Sequence, residues 1–307
     1  MTTSSPATQE STAASESAAP TVTAETIAGI AVENRTIAGP HGAVPLRIYR
    51  PSGEATGQGL VWLHGGGFWA GDLDMPEGDW VARSFAARGI VVVSVDYRLA
   101  PQAADDGSGH DGVHYPVASQ EVAFAFGWAV ASGLANGAWA LGGASAGGNL
   151  AAGATLRLMA EGGPVPALDL LAYPTLLAIQ PAPDSGLRAA LDADPDSDRF
   201  GPDPVRAMYE NYLDAPAESA DLMAAPGLAT TSDLAEFPPT IMINGEVDEL
   251  RVSGEVFAAT LRAAGRDIQV LTEAGTGHGY LNRPDEPAAT VSIDRYAARI
   301  HSLPAPA

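Results

Sequence analysis

The sequence predicts an α/β protein, a mostly parallel sheet with helices on both faces. Three observations predict it. Short apolar runs alternate with longer stretches whose apolar residues recur at helical spacing. One such run, 90–95, is nearly continuous Ile and Val, as expected for a strand buried on both faces. The 307 residues, 46% of them hydrophobic, suffice for one large core or a core with a small appended lid.

Residues 1–24 are rich in Ser, Thr, Ala and Glu, with hardly a large apolar side chain. Such a segment cannot bury enough surface to offset its ordering entropy, so a disordered tail is expected; the alternative is that its end packs as a lid helix. Residues 30–37 and 45–49 read as strands joined by the turn Gly39, Pro40, His41, Gly42. A strand over 59–63 runs into His64, Gly65, Gly66 and Gly67, and further strands are expected at 90–95, 138–141, 168–173, 240–243 and 268–271. Helices are expected over 79–88, with Val81 and Phe85 on one face, and over 117–132, 147–161 and 253–264, the last stopped by Gly265. A final helix over 286–301 places Ile293, Tyr296, Ala297 and Ile300 at helical spacing. Two segments interrupt the alternation. Residues 102–113 are a polar Gly/Asp loop, and 177–236 are a Pro/Asp-rich excursion with one helix near 204–213, of the kind that serves as a lid or substrate-binding insert.

The chain has no cysteine and no lysine. That excludes cysteine nucleophiles, thiolate zinc sites and disulfides, and equally a P-loop lysine, a Schiff base or a Ser-Lys dyad. With 37 acidic residues against 16 arginines the net charge is −21, which repels nucleic acid and anionic membrane surfaces. The acidity reads as a device for solubility, and the use of Arg without Lys as a coding bias. No segment reaches the roughly 18–20 apolar residues that span a bilayer. The first residues show neither a basic n-region nor an apolar h-region, so cytoplasmic residence is expected.

Chemistry is carried by Gly-Ala-Ser-Ala-Gly at 143–147, between an apolar run and a helical stretch. A G-x-S-x-G on a strand-to-helix turn raises the serine hydroxyl at a sharp bend. The alternative is that these glycines merely let a helix pack close to a strand. Among the six histidines, His278 lies in a glycine-flanked loop directly after the last strand, which suits a base that exchanges protons with two partners. Asp248 follows the 240–243 strand and precedes His278, so the order is Ser, Asp, His, with Glu246 and Glu249 as rivals for the acid. The glycines after His64 expose backbone N–H groups suited to an oxyanion, with the Ala146 N–H as a further donor. Phe68 and Trp69 are candidates to line the pocket, with core packing the alternative for one of them. Asp105, Asp106 and Asp111 match no calcium-loop spacing.

Together these residues resemble the bacterial hormone-sensitive-lipase-like esterases of the α/β-hydrolase fold. The resemblance covers about residues 44–281 and rests on His64-Gly-Gly-Gly-Phe-Trp, Asp96-Tyr-Arg-Leu-Ala-Pro, Gly143-Ala-Ser-Ala-Gly-Gly-Asn-Leu, Tyr173-Pro-Thr-Leu, Glu246-Val-Asp and Gly277-His-Gly-Tyr-Leu, in that order. It implies Ser145 as nucleophile, His278 as base, Asp248 as orienting acid, and oxyanion donors at Gly66, Gly67 and Ala146. It raises Asp248 above Glu246, which would support the turn, and makes residues 96–101 structural. It implies a hydrolase domain over 25–307 whose cap comes from the N-terminal region and 177–236. Three departures stand out: Ala144 before the serine, Val252 where a second Asp is usual, and the insertion at 103–113, expected near the pocket mouth. The expected activity is hydrolysis of short-acyl or small-molecule esters without metal or organic cofactor. Amides, carbamates or lactones are alternative substrates, and a non-catalytic ligand-binding protein is the alternative from another class. A homodimer is a candidate assembly.

Overall fold

The computed structural model describes residues 22–53, 55–102 and 109–304. Residues 1–21 of the expected tail and 103–108 of the expected insertion lie outside the described residues.

All eight strands of the described residues join one sheet. β1 (Ala31–Gly39) and β2 (Gly42–Arg50) form an antiparallel hairpin across the expected turn, and β2 pairs antiparallel with β4 (Val91–Val95). From β4 the sheet continues through β3 (Gly59–Leu63), β5 (Trp139–Ala144), β6 (Leu168–Ala172), β7 (Thr240–Val247) and β8 (Ile268–Gly277), all parallel, in the order β1-β2-β4-β3-β5-β6-β7-β8. The α/β class with a mostly parallel sheet is therefore the observed one.

Both faces of the sheet are covered, which is why its strands read as continuous apolar runs. Within β4, Val91, Val93 and Val95 enter one core and Val92 the other. The first core packs under α3 (Val117–Ala131), α4 (Ala146–Glu161) and α7 (Arg251–Ala263). The second packs under α2 (Asp79–Ala86) and α8 (Pro287–His301), through Val81, Phe85, Ile293, Tyr296 and Ile300. Burying these large side chains contributes about 1.5–3 kcal/mol each.

The excursion between β6 and β7 holds two helices rather than the single one expected. α6 (Pro202–Leu213) inserts Val205, Met208, Tyr209 and Tyr212 into the first core. The additional α5 (Ser185–Ala193) is capped by the Asp184 carboxylate, which accepts from Leu187 N–H at 2.8 Å, and buries only Leu187 and Leu191. Near the start of the described chain, α1 (Ala24–Ala28) lies beside α2, where the Arg83 guanidinium donates to the Ala28 and Ile30 carbonyls. Among the described residues no helix is long and apolar enough to cross a membrane.

Candidate active site

The chemistry-bearing residues gather beyond the C-terminal ends of β3, β5, β7 and β8. Ser145 sits between β5 and α4 with φ 53° and ψ −117°, a conformation uncommon for a residue with a side chain. The flanking glycines make the turn possible. A Cβ on Gly143 would lie 2.4 Å from the Gly147 backbone, and one on Gly147 would lie 2.4 Å from the Leu63 and His64 carbonyls. The Ser145 N–H donates to the Ala172 carbonyl at 2.9 Å, fixing the bend to the next strand.

Register brings the other two groups together. Val247 of β7 pairs with Gly277 of β8 across a bulge, so Asp248 and His278 each stand one residue past the last pair. The His278 imidazole bridges them: Nδ1 lies 2.7 Å from Asp248 Oδ2 and Nε2 lies 2.9 Å from Ser145 Oγ. An ionised carboxylate only accepts, so the ring proton belongs on Nδ1 and Nε2 is left to accept the serine hydroxyl. Asp248 is fully buried, and its other oxygen accepts the Leu250 N–H at 3.0 Å.

The rivals for the acid are turned elsewhere. Glu246 accepts the Gly275 N–H at 2.7 Å and so braces the loop that carries His278. Glu249 is buried with its carboxylate facing Gly201, and burial pushes its carboxyl above the usual range.

Facing the serine is the glycine loop after β3. The amides of Gly66, Gly67 and Ala146 donate to no protein group among the described residues, and Ala146 opens α4, whose N-terminal dipole favours negative charge. His64 is structural: its buried ring stacks on Tyr97 with centroids 4.5 Å apart, and burial holds the imidazole below its ordinary value. Tyr97 donates its hydroxyl to the His64 carbonyl at 2.7 Å and Arg98 pairs with Glu121, so the 96–101 segment braces the loop.

Between these groups lies a cleft of about 430 Å³, lined by Trp69, Phe200, Met208 and His278 among others. Of the two aromatic candidates, Trp69 lines it. Phe68 does not; it is buried and stacks on Tyr212 with centroids 4.0 Å apart. The excursion forms part of the wall through Phe200 and Met208, whereas α1 contributes no lining residue. The described arm of the insertion reaches the mouth, where His110 Nε2 meets the Trp69 carbonyl at 2.8 Å. A larger hollow of about 580 Å³ lies against α3 and α4, but no nucleophile with a base faces it. Among the described residues no three metal-ligating side chains gather.

Glu77 was not anticipated from sequence. It is buried, and its carboxylate accepts three donors from three parts of the site: Gly65 N–H at 2.6 Å, Tyr173 hydroxyl at 2.5 Å and Asn282 Nδ2 at 3.1 Å. Burial pushes its carboxyl up, and these donors oppose that. Tyr173 in turn presents its ring edge to His278, with centroids 5.0 Å apart. The only local signal was a carboxylate shortly after the glycine loop.

A strand-ordered Ser, Asp and His beneath free amides, on a doubly covered parallel sheet, defines an α/β hydrolase. Comparison with known proteins agrees. The family model described as alpha/beta hydrolase fold matches residues 60–282. LipN, a carboxylic ester hydrolase of Mycobacterium tuberculosis, is 35% identical over 82% of this chain, which spans 64% of LipN. The esterase LipI of the same organism is 34% identical over 86% of this chain and 79% of its own length. An esterase of Pyrobaculum calidifontis superposes with a TM-score of 0.76 at 30% identity, covering 90% of this chain and 87% of its own. The chain belongs to the α/β-hydrolase family, in its hormone-sensitive-lipase-like branch.

Proposed function

We propose that this chain is a serine carboxylic-ester hydrolase acting on short-acyl or small-molecule esters through an acyl-enzyme. The observation that carries the reading is the unbroken path from Asp248 through His278 to Ser145 Oγ, with bonds of 2.7 and 2.9 Å. Ser145 Oγ attacks the ester carbonyl while His278 Nε2 takes its proton. The carbonyl oxygen becomes an oxyanion facing the Gly66, Gly67 and Ala146 amides. His278 then hands the proton to the departing alcohol, leaving an acyl-serine. Water, deprotonated by the same nitrogen, attacks that acyl group, and the returning proton restores Ser145. Asp248 keeps the imidazole in the required tautomer and offsets its transient charge. The excursion between β6 and β7 serves as the cap, since Arg199, Phe200 and Met208 enclose the cleft.

The test is a series of p-nitrophenyl esters of increasing acyl length. Wild type should cleave the short ones, and Ser145→Ala should lower kcat by several orders of magnitude. Equal rates for both proteins would refute the reading. Asp248→Asn should cost about 10⁴-fold in kcat by forcing the wrong tautomer. A near-normal rate would return the acid role to Glu246 or Glu249.

A further inference from the structure

Besides His278, the acidic and basic residues lining the cleft are Glu77, Arg199 and Arg283. The Glu77 carboxylate is already committed to its three donors, so the charge the cleft offers a ligand is positive. That is unusual for a chain of net charge −21. Most arginines here pair with a carboxylate, as Arg188 does with Asp198 and Arg83 with Asp79. Arg199 has no carboxylate within 4.0 Å among the described residues. Its guanidinium lies over the Phe200 ring, 5.5 Å from the centroid, which leaves its N–H edge open. The Phe200 ring meets His278 with centroids 4.5 Å apart, so Arg199 stands one aromatic ring from the general base. Arg283 follows His278 in the chain and shares its charge with Glu286.

We propose that Arg199, supported by Arg283, forms a subsite for an anionic group carried on the alcohol half of the ester. The inference rests on the esterase reading. The departing oxygen must receive its proton from His278 Nε2, so the alcohol half passes on the His278 side of the cleft, where Phe200 carries the Arg199 guanidinium and Arg283 lines the wall. A planar guanidinium with an open N–H edge matches a carboxylate in two-point geometry. The preferred substrates are thus acyl esters of small hydroxy acids or hydroxyaryl acids, released as a hydroxy-carboxylate and a short acid.

The experiment compares p-acetoxybenzoate with the uncharged p-acetoxybenzamide, which match in size. Wild type and Arg199→Gln are assayed on both, with Ser145→Ala as the blank. The kcat/KM ratio of anionic to neutral ester should fall roughly tenfold in Arg199→Gln, chiefly through KM, and Arg199→Lys should recover part of it. A ratio unchanged by the substitution, with the neutral ester still cleaved, overturns the subsite and leaves the esterase reading standing. Cleavage of neither ester above the Ser145→Ala blank overturns both. A second pair, mono-p-nitrophenyl succinate against p-nitrophenyl butyrate, places the anion on the acyl half. If Arg199→Gln lowers that ratio instead, the assignment to the alcohol half is wrong.

Discussion

At the scale of single residues, Glu77 shows how the site is held. Its carboxylate joins the glycine loop, Tyr173 behind His278, and Asn282 beyond it. Replacing Glu77 with Gln puts an amide N–H where three donors converge, so at least one donor faces another. The expected outcome is a fall in kcat of up to about 100-fold with KM little changed, because the displaced groups act on the transition state. Glu77→Asp, which keeps the charge, should recover part of kcat; steady-state kinetics of both variants checks this. Ser145 and His278 were legible in the sequence because each sits among glycines at the end of a strand run. Asp248 was legible only as one of three neighbouring acids, since the bulge between Gly245 and Val247 that aims it arises from pairing with β8. Glu77 was not legible, as its partners lie 12, 96 and 205 residues away.

At the scale of elements, the strand-to-helix turn leaves no room for a methyl group. Gly147→Ala would push a Cβ to 2.4 Å from two backbone groups that cannot retreat. It should cost about 1–3 kcal/mol of stability and most of the ester hydrolysis. Gly127, inside α3, is the contrasting case: its added Cβ would meet only Pro164, at 3.9 Å. Gly127→Ala should therefore gain about 0.5–1 kcal/mol from helix propensity. Urea unfolding of both variants reads the two signs side by side. Element positions were legible wherever burial on both faces left a continuous apolar run. They were less so at the strand ends. β7 and β8 extend through polar residues such as Asn244, Thr272 and Glu273, whose strand conformation comes from the ladder and not from their own side chains. α5 escaped because two leucines in a Pro/Asp-rich stretch make a faint period, although Asp184 was a readable cap.

At the scale of the whole molecule, the acidic surface and the buried acids pull stability in one direction. Asp169, at the start of β6, is fully buried with one oxygen accepting from Thr155 at 3.1 Å and the other without a partner among the described residues. Burial raises its carboxyl well above the usual range. A carboxyl raised in the folded state gives its full contribution below its unfolded pKa, near 3.8, and loses it as pH climbs through the raised value. Burial also raises Glu77, Glu121 and Asp96. Repulsion within a chain of charge −21 grows in the same direction. The protein should therefore be more stable at mildly acidic than at alkaline pH. Melting curves of wild type and Asp169→Asn between about pH 5 and 9 should diverge, the Asn variant gaining at the alkaline end; parallel curves would show that Asp169 does not titrate with unfolding. Composition made the charge legible and the alternation of apolar runs with helical stretches the fold class, but neither told which carboxylate would be enclosed.

The order in which the sheet is laid down carries a further meaning. The glycine loop and the serine turn belong to the first half of the chain, whereas His278 arrives directly after the edge strand β8, 133 residues after Ser145. Chains emerge from the ribosome N-terminus first. Under the proposed mechanism the nascent polypeptide carries Ser145 without its base until β8 is seated, and it cleaves no ester while it is being made. In a refolding reaction, the return of ester cleavage would time the docking of that last strand.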